Sequence, residues 1–179
     1  PFLDNAFTNF RPSDSNSEYN AVGQIYGAGQ GYFGEPEENK MQNRSYILVD
    51  IPQNMQAYQS TVVFGGGECG GVGMGITPSD LVGQLDKGSA IIDLIRGDIK
   101  NVYGGSYKEG VTRRTLVNVP EGSTIKVNNI FGGAYGTDTY HPCDVYEANV
   151  NYNSSTAALT YDPKTNERYT GSLYGGNNN

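Results

Sequence analysis

The densest group of potentially reactive side chains lies between Thr137 and Asp144. It includes His141, the one histidine of the sequence, and Cys143. A cysteine and a histidine can act as nucleophile and base, but residues two positions apart rarely adopt the required geometry, and a third group must orient the base. We therefore expect a polar loop with a turn at Pro142 rather than a catalytic pair.

A zinc site would require Cys69 to join His141 and Cys143, with Asp144 as a possible fourth ligand. The spacing of these residues matches no compact zinc pattern, so we expect no metal ligands among them.

A glycine-rich stretch, Gly132–Asp138, is similar to the calcium-binding pattern Gly-Gly-x-Gly-x-Asp, but it has one residue too many before Gly136. It also occurs once, whereas that pattern works by stacking at a short period. Calcium held by Asp138 and Asp144 remains an alternative, because oxygen ligands are easily assembled.

Two further glycine groups, Gly65–Gly67 and Gly71–Gly73, could suggest a phosphate cradle. Neither ends in Lys-Ser or Lys-Thr, and neither lies between a strand and a helix of a parallel unit. We therefore interpret them as glycines at chain corners.

Three charged residues on or just after predicted strands, Asp50, Asp93 and Arg96, are candidates for acting on polysaccharides. Glycoside hydrolysis needs two carboxylates at a defined separation, which a sequence does not give. Acids at alternating strand positions usually form the solvated face of a sheet. We expect no catalytic residue, no cofactor-binding residue and no metal ligand, and we expect ligand contacts, if any, to come from variable loops such as Glu68–Gly88 and Ala134–Asp144.

The elements that must position these groups recur along the chain. A pattern of one aliphatic residue, one aromatic residue, glycine and a small residue occurs five times: Ile25–Ala28, Val63–Gly66, Val102–Gly105, Ile130–Gly133 and Leu173–Gly176. We predict that the aliphatic side chains point into the core and that the aromatic rings stack in an outer ladder about 4.8 Å apart, the spacing of paired strands. Glycine at the corner would supply a positive φ or a close backbone approach.

A second element precedes several of these matches. Short β-branched runs occur at Tyr46–Ile51, Ala90–Ile95 and Thr115–Val119, with a weaker copy at Asp144–Val150. Turn signals close the first three runs. The segment Thr77–Gly88 predicts a short helix, because it has an N-cap, a proline at the first helical position and a terminal glycine. We expect the polar flanks, residues 1–20 and 151–170, to be irregular.

Composition excludes some classes of function. The chain has 179 residues and a net charge of −7, and its lysines and arginines form no extended cluster, which argues against binding to nucleic acid. No apolar run is long enough to span a membrane as a helix. The two cysteines, Cys69 and Cys143, allow one disulfide or two thiols.

The units from Tyr46 to Gly133, above all Ser89–Gly105, resemble the glycine-cornered repeats of bacterial cell-surface parallel β-helix proteins, both adhesin-like and autotransporter-passenger-like, including large surface proteins of Bacteroidetes. The resemblance implies an extracellular, elongated structural or binding role and supplies no catalytic residue. We expect an all-β right-handed parallel β-helix, one β-solenoid segment over residues 1–179 with repeats from about residue 21.

The expected function is a non-enzymatic surface or secreted structural or adhesion module that contacts a surface glycan or a protein. Its C-terminal edge would pair with continuing repeats of a longer parent protein or with another chain. One alternative is part of a carbohydrate-active β-helix enzyme, a lyase or hydrolase. Another is an antiparallel sandwich with a ligand-binding edge.

Overall fold

The structure, a computed structural model, describes residues 5–10, 22–31, 43–52, 61–73, 89–136, 143–159 and 171–176. These residues form eleven strands: β1 (Asn5–Phe10), β2 (Gln24–Tyr26), β3 (Arg44–Asp50), β4 (Val62–Phe64), β5 (Ser89–Arg96), β6 (Asp98–Tyr103), β7 (Thr112–Val119), β8 (Lys126–Phe131), β9 (Val145–Tyr152), β10 (Ala158–Leu159) and β11 (Ser172–Tyr174). Within the described residues there is no helix with the length and apolar character needed to cross a bilayer.

The strands divide between two sheets. The odd-numbered strands up to β9 form a first sheet in the order β1-β3-β5-β7-β9. The second sheet has the order β10-β8-β6-β4-β2. Strand β11 also pairs directly with β8, at residues of β8 that follow those paired with β10. Every strand pair is parallel, so the chain alternates between the sheets and pairs most strands with the strand two places later.

This arrangement corrects the predicted fold class. The described residues form two parallel sheets and contain no helix, and a right-handed parallel β-helix is not what they show. The physical reason is that a recurring glycine corner marks where the chain leaves a strand, but it does not report how the strands divide between sheets. The segment predicted as a short helix, 77–88, lies outside the described residues.

The individual strand predictions were closer to the structure. The four β-branched runs lie in β3, β5, β7 and β9, and the five aromatic-glycine matches begin in β2, β4, β6, β8 and β11. The flanks expected to be irregular contain strands, because Asn5–Phe10 and Ala158–Leu159 pair with β3 and β8. Both segments lack a β-branched run and gain their order from pairing with a neighbouring strand.

The core lies between the two sheets. Alternate residues of β3, Ile47 and Val49, are fully buried, and so are Val117 and Val119 of β7. They meet aliphatic residues of the second sheet, among them Val102. The aliphatic residue before each aromatic residue therefore points inward, as predicted, except at the exposed final copy.

Close packing requires the glycine that follows the aromatic residue at three inner copies of the pattern, Gly27, Gly65 and Gly104. A Cβ on Gly65 would collide with the carbonyl oxygen of Gly104, and a Cβ on Gly104 would lie 2.7 Å from the Cβ of Thr115 in the first sheet. The small residues Ser45 and Ala90 occupy the equivalent positions on their strands. At this rim the sheets approach so closely that only glycine fits against the small side chains.

A positive φ does not explain the glycines that follow the aromatic residues. Of the two reasons expected for glycine at the corners, a positive φ does not apply at Gly104 or Gly132, because neither is among the positive-φ glycines. Those include Gly97, with φ of 139°, between β5 and β6, and Gly122, with φ of 78°, between β7 and β8. Glycine permits these turns because it has no Cβ.

Candidate ligand-binding face

An aromatic ladder crosses the outer face of the second sheet. Five rings lie in register on five strands: Tyr26, Phe64, Tyr103, Phe131 and Tyr174. Their successive centroids are 5.2, 5.2, 4.7 and 4.5 Å apart, and neighbouring planes differ by 13° or less. The predicted ladder is confirmed, and its spacing follows the separation of the strands.

A second aromatic layer covers the middle of the ladder. Tyr107, in the loop after β6, lies 4.9 Å from the ring of Phe64, and Tyr135, after β8, meets Tyr103 edge-on at 5.3 Å. The two covering rings are 5.5 Å from each other. Phe64 and Tyr103 are therefore almost completely buried, although they project from the outer face of the sheet.

A polar row runs beside the ladder, two positions before each aromatic residue. Gln24, Asn101, Asn129 and Ser172 lie in this row, with Val62 between the first two. The side-chain amide of Asn129 donates to Oδ1 of Asn101 at 3.1 Å, and its own Oδ1 accepts from the backbone N–H of Ser172 at 3.2 Å. Amide groups are thus linked from strand to strand next to a strip of rings.

The polar row and the two aromatic layers enclose an open pocket of about 190 Å³, lined by Gln24, Val62, Phe64, Lys100, Asn101, Tyr103, Tyr107 and Tyr135. Gln24 and Lys100 are exposed at its margin. Pockets for drug-sized ligands usually exceed about 300 Å³. This pocket is therefore suited to one small ring or side group of a larger ligand.

Charge near the pocket is arranged around Tyr107. Lys108 forms a 2.5 Å ion pair with Glu68, and its ammonium lies 5.4 Å from the centre of the Tyr107 ring. The hydrogen bond to Glu68 raises the pKa of Lys108. Burial, with a smaller contribution from Glu68, raises the pKa of Tyr26, whose hydroxyl donates to Gln24 at 2.9 Å. The two shifts keep Lys108 positively charged and Tyr26 neutral around neutral pH.

The outer face of the first sheet holds Asp93, one of the residues considered for polysaccharide chemistry. Its carboxylate accepts hydrogen bonds from the hydroxyl of Tyr46 and from the amide of Asn118, the latter at 2.8 Å. Asn118 in turn accepts from Asn151 at 3.2 Å. Burial, and then the bond to Asp93, raise the pKa of Tyr46 to about 12. Asp93 therefore belongs to a chain of strand-to-strand hydrogen bonds.

The other two candidates pair with each other. Nε of Arg96 donates to Oδ1 of Asp50 at 2.8 Å across β5 and β3. Near the other end of this sheet Arg114, which is buried, binds Oε2 of Glu147 through Nε at 3.0 Å and a terminal nitrogen at 2.6 Å. The hydrogen bonds from Arg114 lower the pKa of Glu147. The structure joins Asp50 to Arg96 and gives Asp93 a separate set of partners.

The cysteine and histidine group is only partly described. His141 and Asp138 lie outside the described residues. Cys143 and Cys69 are both buried thiols, and Asp144 is exposed just before β9. Among the residues that the structure describes, no three histidine, cysteine, aspartate or glutamate side chains converge as metal ligands.

The glycine groups considered for calcium and phosphate serve packing where they are described. A Cβ on Gly71 would collide with the backbone of Val111, and Ala134 lies against Gly105. Tyr135, inside the calcium-like stretch, packs on Tyr103. The corner interpretation of these glycines agrees with the contacts.

The residues that line the pocket were not singled out from the sequence, apart from the ladder rings. Tyr107 and Tyr135 each follow an aromatic-glycine match by a few residues, and this shared offset could have indicated that both cover the ladder. Asn101 and Asn129 likewise share the position two residues before the aromatic ring. Lys100 had no such signal.

The sequence matches no protein-family model, and it shows no significant similarity to a curated protein or to a solved structure.

Proposed function

We propose that this chain is a non-enzymatic structural or adhesion module of a cell-surface or secreted protein, and that its ladder face contacts a glycan. The observation that carries the proposal is the pocket, in which amide and ammonium groups lie beside aromatic rings of the ladder and of the layer that covers it. Sugars offer hydroxyl groups to such amides and C–H groups to aromatic rings.

The size of the pocket decides what kind of binding to expect. A volume of about 190 Å³ takes one sugar unit of a chain rather than a whole oligosaccharide. A single contact of this kind should be weak, with a Kd of roughly 1 mM, equivalent to about 4 kcal/mol. Useful adhesion would then depend on several such contacts made together.

The alternative of a carbohydrate-active enzyme has less support. Asp93 and Asp50 are the acids considered for that chemistry, and both are bound to neighbouring side chains. A general acid or base must be able to reach its substrate and exchange a proton with it. The contacts of these two carboxylates favour a structural role.

The proposal is tested by measuring binding of labelled oligosaccharides to the wild-type chain and to Tyr107→Ala and Lys100→Ala. Both substitutions remove pocket lining and should weaken binding at least several-fold. Glu121→Ala changes an exposed turn residue that does not line the pocket and serves as the matched control. Absence of binding to a broad glycan panel, or equal binding by all variants, would reject the ladder face as the site.

A further inference from the structure

A regular series of backbone hydrogen bonds runs along the corners of the second sheet. Gly27, Gly65, Gly104 and Gly132 each donate their N–H to the carbonyl oxygen of the aromatic residue on the next strand, at 2.9, 2.9, 2.9 and 2.7 Å. Gly175 is the next member of the series. Within the described part of the chain its N–H has no acceptor.

A second series runs beside the first. The N–H groups of Ala28, Gly66, Gly105 and Gly133 donate to the carbonyl oxygens of Gly66, Gly105, Gly133 and Gly176, at 3.3, 3.0, 3.0 and 3.1 Å. The series stops at Gly176, whose own N–H is the next donor. Two neighbouring donors are therefore presented together at this edge.

The space at the edge is shaped like the space inside the sheet. A Cβ on Gly27, Gly65 or Gly104 would collide with the carbonyl oxygen of the following glycine, whereas a Cβ on Gly175 would meet nothing within 4 Å. Leu173 and Tyr174 are 44% and 45% exposed, although their counterparts inside the sheet are buried. The last copy of the pattern thus keeps the glycine, the aliphatic residue and the ring, but no strand covers them within the described residues.

The opposite edge of the same sheet is formed by β2, which carries the first copy of the repeated pattern. Among the described strands β2 pairs with β4 alone, and Ile25–Ala28 is the first copy of the repeat. The strands of the first sheet follow one another in the same direction. Its edge strand β1 corresponds to β2 of the second sheet, and its edge strand β9 corresponds to β11. A second copy of this chain can therefore continue both sheets at once.

We propose that copies of this chain associate head to tail, with β11 of one copy pairing in parallel with β2 of the next. In this register Tyr174 stacks on Tyr26 of the second copy, Gly175 N–H donates to the carbonyl of that Tyr26, and Ser172 extends the polar row to Gln24. The carbonyl of Gly27 fills the open space beside Gly175. Because the two joined surfaces differ, the contact does not close on itself and produces an open-ended row.

The test is sedimentation velocity of the purified chain over a range of concentrations, without any ligand. We expect the wild type to form species of increasing size as concentration rises. Gly175→Val should remain monomeric, because its side chain occupies the space that the Gly27 carbonyl needs. At a concentration low enough for the wild type to be monomeric as well, the two proteins should unfold at the same temperature. Leu173→Lys is a second edge variant with the same expected loss, and Glu121→Val, in an exposed turn, should associate like the wild type.

Mixing the Gly175→Val variant with the wild type tests whether β11 of one copy contacts β2 of the next. Gly175→Val keeps a normal β2, so it should cap the β11 end of wild-type rows and shorten them in proportion to the amount added. A wild type that is monomeric at every concentration would overturn the proposal. So would a wild type that stops at a dimer, or a Gly175→Val variant that associates normally. The assay contains no glycan, so its outcome is independent of the proposed binding function.

Discussion

At the scale of single residues, Gly104 shows most directly why the corner pattern contains glycine. A side chain there would collide with the carbonyl of Gly132 and with Thr115 of the opposite sheet. We predict that Gly104→Val lowers the free energy of unfolding by about 3 kcal/mol or more, at the upper end of the cost of overpacking. Gly175→Val is the matched control and should change stability by less than about 0.5 kcal/mol. Urea denaturation of the two variants measures the difference, and equal losses would contradict the packing explanation.

The ion pair between Arg114 and Glu147 makes the free energy of unfolding depend on pH in the acidic range. Hydrogen bonds from Arg114 lower the pKa of Glu147 below its ordinary value of 4.5 in the folded chain. As the pH falls, the unfolded chain therefore takes up this proton first, and the stabilisation present above about pH 4.5 is lost as the pH falls through the folded pKa.

The substitution Glu147→Gln should remove this part of the acid dependence. It should also cost roughly 1–3 kcal/mol at neutral pH, because the hydrogen bonds that the buried guanidinium makes to Glu147 are no longer made to a charged carboxylate. Stability measured by denaturant titration from pH 7 to pH 3 provides the comparison, with Glu121→Gln, in an exposed turn, as control. An unchanged pH profile for Glu147→Gln would assign the acid sensitivity to other groups.

At the scale of the elements, the ladder is expected to couple neighbouring strands energetically. The rings of Phe64 and Tyr103 stack at 5.2 Å with planes 10° apart. A double-mutant cycle with Phe64→Leu and Tyr103→Leu should give a coupling energy of about 0.5–1.5 kcal/mol, the range for aromatic pairs beyond their buried area. Unfolding free energies of the four proteins supply the cycle. Coupling close to zero would mean that the rings contribute only their apolar area.

The same elements show how far the sequence predicts this structure. Repetition of aliphatic residue, ring and glycine identified β2, β4, β6, β8 and β11 and the register that joins their rings, because a parallel register must repeat whatever side chains it stacks. It did not predict the division into two sheets, which depends on contacts between distant segments. Strand β1 was missed because its residues carry no strand pattern of their own.

The candidate site was less predictable than the strands. The ladder rings were found from their pattern, but the pocket also needs Tyr107, which lies in the loop after β6, and Lys100, an exposed residue of β6. Asp50, Asp93 and Arg96 were placed on the right strands, whereas their partners, such as Tyr46, follow from the cross-strand register. Side-chain pairing of this kind becomes visible only when the strands are aligned.

At the scale of the whole molecule, the two sheets differ in the role that we propose for them, with ligand binding assigned to the second sheet. Two sheets share one core, acids of the first sheet are engaged with neighbouring side chains, and the second sheet carries the pocket. Weak single contacts could be combined if copies align in a row, since linked sites raise the effective local concentration.

The most direct test of binding without chemistry is a calorimetric titration of the chain with the oligosaccharide that binds best. We predict heat pulses that return to the original baseline after every injection, shrink as the pocket fills, and are strongly reduced in Tyr107→Ala. A sustained displacement of the baseline that grows with substrate would reveal continuing turnover and would contradict a non-enzymatic role.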